Sequence, residues 1–327
     1  MEKYLVTGFS GFVAKHFLDF LDEQEVPAYV LGVDIHRPEF NIYGFKYVRC
    51  SFERTDLLDK DQVDNIIYQF QPSYILHLAS FSSVAFSWKN PVASFANNTN
   101  IFLNLLEKVR GMNLDCRILS IGSSEEYGNV HAEDMPLKEE HPLNPISPYA
   151  VARVSQEMLS TVYVEGYGMD IVMTRSFNHI GPGQRDLFVI SSFAKQLVSM
   201  ARIEGKAHLV TGDTSIIRDF VDVRDVVRAY YLLLKKGKKG EIYNICSGTG
   251  TTLKEVLDKM GMILGTEVEN QVNEKFIRPN DNQIIIGSND KIKEAIGFEP
   301  SIPLDESLRD IIEYWKEQIE QTHENTL

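Results

Sequence analysis

Cysteine is scarce in this chain: Cys50, Cys116 and Cys246 are the three among 327 residues. Their spacing matches neither a disulfide framework nor a metal-ligand pattern, so each reads as a reduced thiol in or near an apolar strand. No run of 18 apolar residues occurs, which excludes a membrane-spanning helix by the usual length rule. Positive charge is in deficit, with 33 Lys and Arg against 46 Asp and Glu and a formal net charge of −13. Such a field disfavours nucleic acid and anionic membrane as partners, and an anionic ligand then needs a local cluster of Arg and Lys. Internal repeats and low-complexity runs are also missing, which removes solenoids and disordered linkers from consideration. The first residues enter an apolar strand at once, leaving no room for a leader, so the cytoplasm is the expected location. What remains is an ordinary globular composition, 43% hydrophobic and 24% charged, at a length that suggests about two domains.

Strand and helix patterns alternate through roughly the first half of the chain. Strands are predicted at Tyr4–Thr7, Tyr29–Asp34, Lys46–Cys50, Tyr74–Leu78, Arg117–Ile121 and Asp170–Ser176, with helices at Phe12–Glu23, Asp61–Phe70, Pro91–Val109 and Pro148–Tyr167. Alternation of this kind gives an α/β fold, a doubly wound parallel sheet of the Rossmann type with helices on both faces. Ligands in such sheets bind at the carboxyl ends of the strands, near the point where strand order reverses. Beyond residue 177 the pattern loosens into short strands (His208–Val210, Glu241–Ile245) and helices (Ser192–Ile203, Val223–Lys235, Leu253–Leu264, Leu304–Lys316). The expected organisation is a dinucleotide-binding domain over 1–177 and a smaller mixed α/β substrate lobe over 178–327, interleaved with the sheet, with a polar tail at 317–327 that frays.

The run Thr7-Gly8-Phe9-Ser10-Gly11-Phe12-Val13-Ala14 joins the first strand to the first helix. Gly8 permits a tight turn, Gly11 lets backbone approach phosphate oxygens, and Ala14 lets the helix pack close to the strand. The helix then points its free amides and positive dipole end at an anion. Asp34 ends the second strand, twenty residues past Ala14. A carboxylate there suits a ribose 2′-hydroxyl and repels a 2′-phosphate, so NAD is favoured, with NADP as the alternative because Arg37 can offset the repulsion.

Ser147-Pro148-Tyr149 opens a helix, with Ser147 as cap and Pro148 in the first helical position. Tyr149 and Arg153 are four apart and share a face. A fixed cation beside a phenol favours its ionised form, and such a tyrosine can pass a proton to or from an alcohol or ketone oxygen while hydride moves at the same carbon. The turn Ser120–Gly128 leaves the fifth strand, and there Ser123 or Ser124 can hydrogen-bond a sugar oxygen and steady developing charge. Glu125 reads three ways: general base, acceptor for a sugar hydroxyl, or solvated loop acid. His77 and His179 read as core histidines, since nothing around either has metal-ligand spacing; no metal is expected.

These motifs together resemble the extended short-chain dehydrogenase/reductases that act on nucleotide sugars. The resemblance is carried by Thr7–Ala14, Asp34, Asp56-Leu57, Tyr74–Ser80, the Ser123/Ser124 turn, Tyr149, Arg218–Asp225, Tyr243-Asn244-Ile245 and Arg278-Pro279. Within that group, Gly122–Gly128 and Thr174–Gln184 are most similar to GDP-4-keto-6-deoxymannose reductases, with GDP-mannose 4,6-dehydratases as close relatives. The resemblance implies that Gly8, Phe9, Ser10, Gly11, Phe12 and Val13 surround the cofactor pyrophosphate and that Asp34 takes the adenosine ribose. It places Asp56 and Leu57 beside adenine, and Leu78, Ala79, Ser80, Asn98, Tyr149 and Arg153 along the cofactor channel. Ser123, Ser124, Glu125, Tyr149 and Arg153 are the implied catalytic set. Asn178, Arg185, Lys195, Arg218, Arg278 and Asp281 are the implied contacts to a nucleotide-diphosphate sugar, GDP-linked by preference. The implied activity is hydride transfer at the sugar C4, with 4,6-dehydration, C4 epimerisation and cofactor or nucleotide-sugar binding without turnover as alternatives. A homodimer through the Tyr149 helix and the preceding long helix is the implied assembly, with a tetramer as the alternative. Two positions depart from the group: Arg153 stands where it carries lysine, and Asn100-Ile101-Phe102 stands where relatives often carry Gly-Thr.

Overall fold

The computed structural model describes residues 1–200, 206–276 and 282–324. In chain order the strands are β1 Glu2–Thr7, β2 Ala28–Asp34, β3 Val48–Arg54, β4 Tyr74–His77, β5 Arg117–Ser123, β6 Ile171–Ser176, β7 Asn178–Ile180, β8 Ala207–Thr211, β9 Ile217–Asp222, β10 Ile242–Ile245, β11 Gly250–Thr252, β12 Val268–Val272 and β13 Ile284–Ile285. The helices are α1 Phe12–Glu23, α2 Lys60–Phe70, α3 Val84–Lys89, α4 Pro91–Phe95, α5 Ile101–Gly111, α6 Pro148–Tyr167, α7 Val189–Met200, α8 Val223–Lys236, α9 Leu253–Leu264, α10 Asp290–Ile296 and α11 Leu304–Glu324.

Among the described residues, seven strands form one parallel sheet in the order β3-β2-β1-β4-β5-β6-β10. The order reverses between β1 and β4, so their carboxyl ends, Thr7 and His77, flank the crevice where ligands bind in such sheets. Continuous apolar runs such as Leu5-Val6 and Ile75-Leu76 are buried because helices cover both faces. Ala14, Phe17 and Leu18 of α1 and Val226, Val227 and Tyr230 of α8 pack on one face. Val63 and Ile67 of α2, Leu105 and Leu106 of α5, and Tyr163 of α6 pack on the other. A third cluster joins α7, α9 and α11 in the lobe.

Local chemistry sets the element ends. Asp59 caps α2 by accepting from Asp61 N at 3.0 Å, and Ser147 caps α6 by accepting from Ala150 N at 3.1 Å. Gly168, at φ +69°, closes α6 in the left-handed region.

Several predicted elements are corrected. The third strand runs Val48–Arg54 and not Lys46–Cys50, because it pairs with β2 as far as Asp34. The single helix predicted at Pro91–Val109 is broken: α4 ends at Phe95, a π-helical turn spans Ala96–Asn100, and α5 follows. Residues 317–324, predicted to fray, continue α11, because Ile319 packs against the lobe cluster. The Arg218–Asp222 run, left without secondary structure in the sequence, lies in β9 and joins β7, β11 and β13.

Candidate active site

The glycine turn is built by close approach. Gly8 has φ +67°, and a Cβ there would lie 2.7 Å from Ala79 N, so glycine is demanded by conformation and by space. Gly11 N donates to Gly8 O at 3.1 Å and sets the start of α1. Among the described residues no side chain caps α1 and no acid stands in its first turn. Its free amides and positive end are therefore available to an anion. Phe9 contributes backbone only: its ring is fully buried against Phe40 and Phe52, and a Cβ on Gly32 would come 2.1 Å from it. Asp34 is tied to the turn, since its Oδ2 accepts from Ser10 N at 3.0 Å and Ser10 Oγ at 2.7 Å, while Oδ1 accepts from His36 N at 3.1 Å. Phe12 stacks on His179 with ring centroids 5.8 Å apart, which brings β7 against the start of α1. Val13 is half-buried behind it.

The far wall comes from β4. Thr7 Oγ1 accepts from Ala79 N at 3.1 Å and pairs with His77 Nδ1 at 2.9 Å. Burial first, then the Arg153 charge, pushes His77 down to about 3, so it stays neutral in the fold. Ser80 Oγ is buried with no hydrogen-bond partner among the described residues; such a group beside a ligand cleft fits a ligand contact. Leu78 and Ala79 line the same edge, half-buried. This cradle fits a dinucleotide pyrophosphate. Three further expected contacts are placed as follows. Leu57 sends its side chain into the core while Asp56 stays exposed, and Asn98 spends its amide on Phe81, accepting from N at 2.8 Å and donating to O at 3.3 Å. Asn98 thus braces the β4 loop, and the π-helical turn is what aims it there.

On the other side of the switch point, Tyr149 occupies the first turn of α6 and is 6% exposed. Arg153 is buried one turn later. Its Nε donates to Tyr149 Oη at 3.2 Å, and one terminal nitrogen donates to Ile121 O at 2.9 Å and to Gln156 Oε1 at 2.7 Å. Gln156 in turn donates to Ser120 Oγ at 2.9 Å. The guanidinium is therefore fixed by β5 and by its own helix, and it offers a charged donor to the phenol oxygen. Ser123 ends β5. Its Oγ accepts from Glu125 N at 3.2 Å, which leaves its own proton to give, and Ser124 beside it is buried. Glu125 is half-buried on the same turn.

The predicted substrate contacts are more dispersed. Asn178 is exposed at the start of β7, and Arg185 is exposed on the loop before α7. Lys195 pairs with Asp186 at 2.6 Å and lies 5.1 Å from the Trp315 ring. Arg218 is 7% exposed and donates to Ile217 O at 2.9 Å. Arg278 and Asp281 lie outside the described residues. Among the described residues no group of three or more His, Cys, Asp or Glu could hold a metal ion.

The family model for GDP-mannose 4,6 dehydratase matches residues 5–311. The chain belongs to this family. Within the GDP-mannose 4,6-dehydratase family, the chain is 31% identical to GDP-6-deoxy-D-mannose reductase of Pseudomonas aeruginosa, across 98% of this chain and 99% of that one. The solved structure of RMD from Pseudomonas aeruginosa complexed with NADPH superposes with a TM-score of 0.84 at 31% identity, covering 97% of this chain and 98% of the other. UDP-glucose 4-epimerase from Thermotoga maritima with UDP-glucose gives a TM-score of 0.84 at 30% identity, covering 97% and 99%.

Four residues of this family member hold the site in ways the sequence does not assign. Thr7 holds the β4 loop, Gln156 anchors Arg153, and the buried Arg175 and Glu157 pair through two contacts of 2.9 Å. The signal for Gln156 and Glu157 was helical spacing, three and four residues after Arg153 on the buried side of α6. Nothing local announces Arg175, because its partner is on another element.

Proposed function

We propose that this chain is a nucleotide-sugar reductase that uses NAD(P)H and adds hydride to the C4 carbonyl of a GDP-linked 4-keto-6-deoxyhexose. The observation that carries this reading is the buried Arg153–Tyr149 contact, next to the Ser123 turn at the carboxyl edge of a sheet whose glycine cradle fits a dinucleotide. The full-length similarity to a GDP-6-deoxy-D-mannose reductase supports the substrate.

Bound nicotinamide supplies the hydride. The chain's own residues supply the rest. Ser123 Oγ donates to the carbonyl oxygen and Tyr149 Oη delivers the proton to the oxygen as it gains negative charge. Arg153 stabilises charge left on the phenol, and because a guanidinium stays protonated it cannot itself relay the proton. The Gly8–Gly11 turn makes room for the pyrophosphate, the free amides of Phe12 and Val13 at the start of α1 hold it, and Asp34 faces the adenosine ribose. The carboxylate favours NAD, while the similarity to a protein solved with NADPH supports use of NADP as well. Arg218 and Asn178 face the nucleotide side in this reading.

A 4,6-dehydratase is the second reading, favoured by the family model and by Glu125, a carboxylate on the catalytic turn that can remove a proton from the sugar. Incubation with GDP-mannose and with its 4-keto-6-deoxy derivative, each with and without NAD(P)H, separates the two by mass spectrometry. Gain of two hydrogens by the keto sugar, dependent on the reduced cofactor, is expected. Loss of water from GDP-mannose without reductant refutes the reductase in favour of the dehydratase.

Two copies are proposed to pair in the cytoplasm through α4 and α6. Val92 is 83% exposed, and Val151, Met158 and Val162 line an exposed side of α6. A cavity of about 780 Å³ lies between Trp88, Val92, Phe95, Pro148 and Val151. An uncovered apolar face of that kind is what a partner helix pair would bury.

A further inference from the structure

Glu126 is fully buried, which for a carboxylate requires a partner. One partner is the catalytic turn itself. Glu126 Oε1 accepts from Ser123 N at 2.6 Å, and Ser123 Oγ caps the same turn by accepting from Glu125 N. Room for the carboxyl is made by Gly122, where a Cβ would come 2.3 Å from Glu126 Oε1. The other oxygen, Oε2, is buried with no donor among the described residues. The charges that act on the carboxyl are those of Glu157 on α6 and Arg175 on β6. Arg175 already gives Nε and one terminal nitrogen to Glu157, both at 2.9 Å, and its remaining terminal nitrogen to Glu139 O at 2.9 Å.

Charge counting then decides the state of the cluster. Two carboxylates against one guanidinium would leave a buried negative charge without compensation, which is strongly destabilising. One retained proton between the acids removes that charge and gives Oε2 a bond to make. Burial and the neighbouring Glu157 charge both act to keep that proton on Glu126. An apolar side chain at this position would instead leave the Ser123 amide unsatisfied in a buried turn.

We propose that Glu126 is a positioning residue for the reaction: it holds the Ser123 amide through one oxygen and shares a single proton with Glu157 through the other, locking the turn that presents the Ser123 hydroxyl. The proposal rests on the assignment of Ser123 to the reacting oxygen.

Glu126→Gln and Glu126→Leu test it against wild type, with steady-state kinetics on the keto sugar nucleotide, thermal melts, and the infrared band of a protonated, buried carboxylic acid. Glutamine still accepts from Ser123 and donates to Glu157, so kcat stays within about threefold. Leucine removes both bonds, and a misplaced hydroxyl lowers kcat about tenfold to a hundredfold while both KM values hold within about twofold. The acid band is present in wild type near neutral pH and lost in Glu126→Gln. A Glu126→Leu enzyme with kcat near wild type overturns the proposal, as does a band that survives in Glu126→Gln. If Glu126→Leu does not fold, the band and the glutamine rescue still decide. A wild type that shows the band but reduces no nucleotide sugar overturns the functional reading and the positioning role with it, while the proton-sharing pair stands.

Discussion

Ser123, Tyr149 and Arg153 stand on a strand end and a helix start beside the central sheet, whereas Asn178 opens the short strand β7, Arg185 lies on the loop before α7 and Lys195 lies within α7. Each sheet contact engages at least one backbone group: Arg153 donates to Ile121 O, the Ala79 amide donates to Thr7 Oγ1, and the glycine turn closes with its own amide and carbonyl. The lobe residues are held by side chains, as Lys195 is by Asp186. Geometry fixed by backbone survives the absence of ligand, because it is set by folding. Side chains on loops take their working positions from the ligand they meet. In the proposed reading, chemistry is thus preorganised at the sheet and substrate recognition falls to the lobe residues that a ligand orders.

The strongest way to break this comparison is at the phenol. Tyr149→Phe is expected to lower kcat by about 10²–10⁴-fold with dinucleotide affinity little changed. Turnover near wild type would remove the preorganised proton donor from the account. Next is the cradle. Gly8→Val forces a branched side chain onto a backbone at φ +67°, 2.7 Å from Ala79 N, and binding of NAD(P)H by fluorescence titration is expected to weaken more than about tenfold. Unchanged affinity would show that the dinucleotide sits elsewhere.

These two predictions depend on the parts most legible in the sequence. The glycine run and the Tyr149–Arg153 pair are local, with spacing that backbone geometry alone interprets. What stayed hidden shows why. The strand β9, Ile217–Asp222, buries Asp219, whose carboxylate accepts from Ser247 N at 2.7 Å and Gly248 N at 2.9 Å; buried charged residues beside Phe220 and Val221 break the alternation a strand pattern needs. The bonds that Asn98 makes to Phe81 depend on a π-helical turn that no periodicity announces. Glu126 was in plain view, three residues after Ser123 at capping-box spacing, yet Glu157 and Arg175, whose charges act on it, are distant in sequence.

The comparison can be sharpened at Arg153. Arg153→Ala strips a charged donor from the phenol and leaves Ile121 O and Gln156 short of a partner, so kcat is expected to fall about tenfold or more. Arg153→Lys should recover most of the loss. A lysine variant no better than alanine would show that the forked guanidinium, and not charge, is what the site requires.

A smaller effect concerns acid. His77 is buried and pushed down to about 3, and burial also lowers His16 and His179. The unfolded chain binds protons at these sites near the ordinary histidine value of about 6.5, while the fold resists them, so stability is complete above that value and falls as pH drops below it. Melting curves between about pH 7.5 and pH 5 should show a falling Tm, less so in His77→Gln. A flat profile would contradict the buried neutral histidine. The smallest effect is expected in the lobe: Lys195→Ala removes an exposed pair, and KM for the nucleotide sugar should change by less than about twofold. A large KM increase would place Lys195 on the substrate and narrow the contrast between the two regions.

The most direct measurement follows deuterium from reduced nicotinamide labelled at its transferable position into the product formed from GDP-4-keto-6-deoxymannose. The account expects the label at sugar C4 by NMR, in wild type and in the slow Tyr149→Phe turnover alike. Label at C6, or product formed without label, would contradict it.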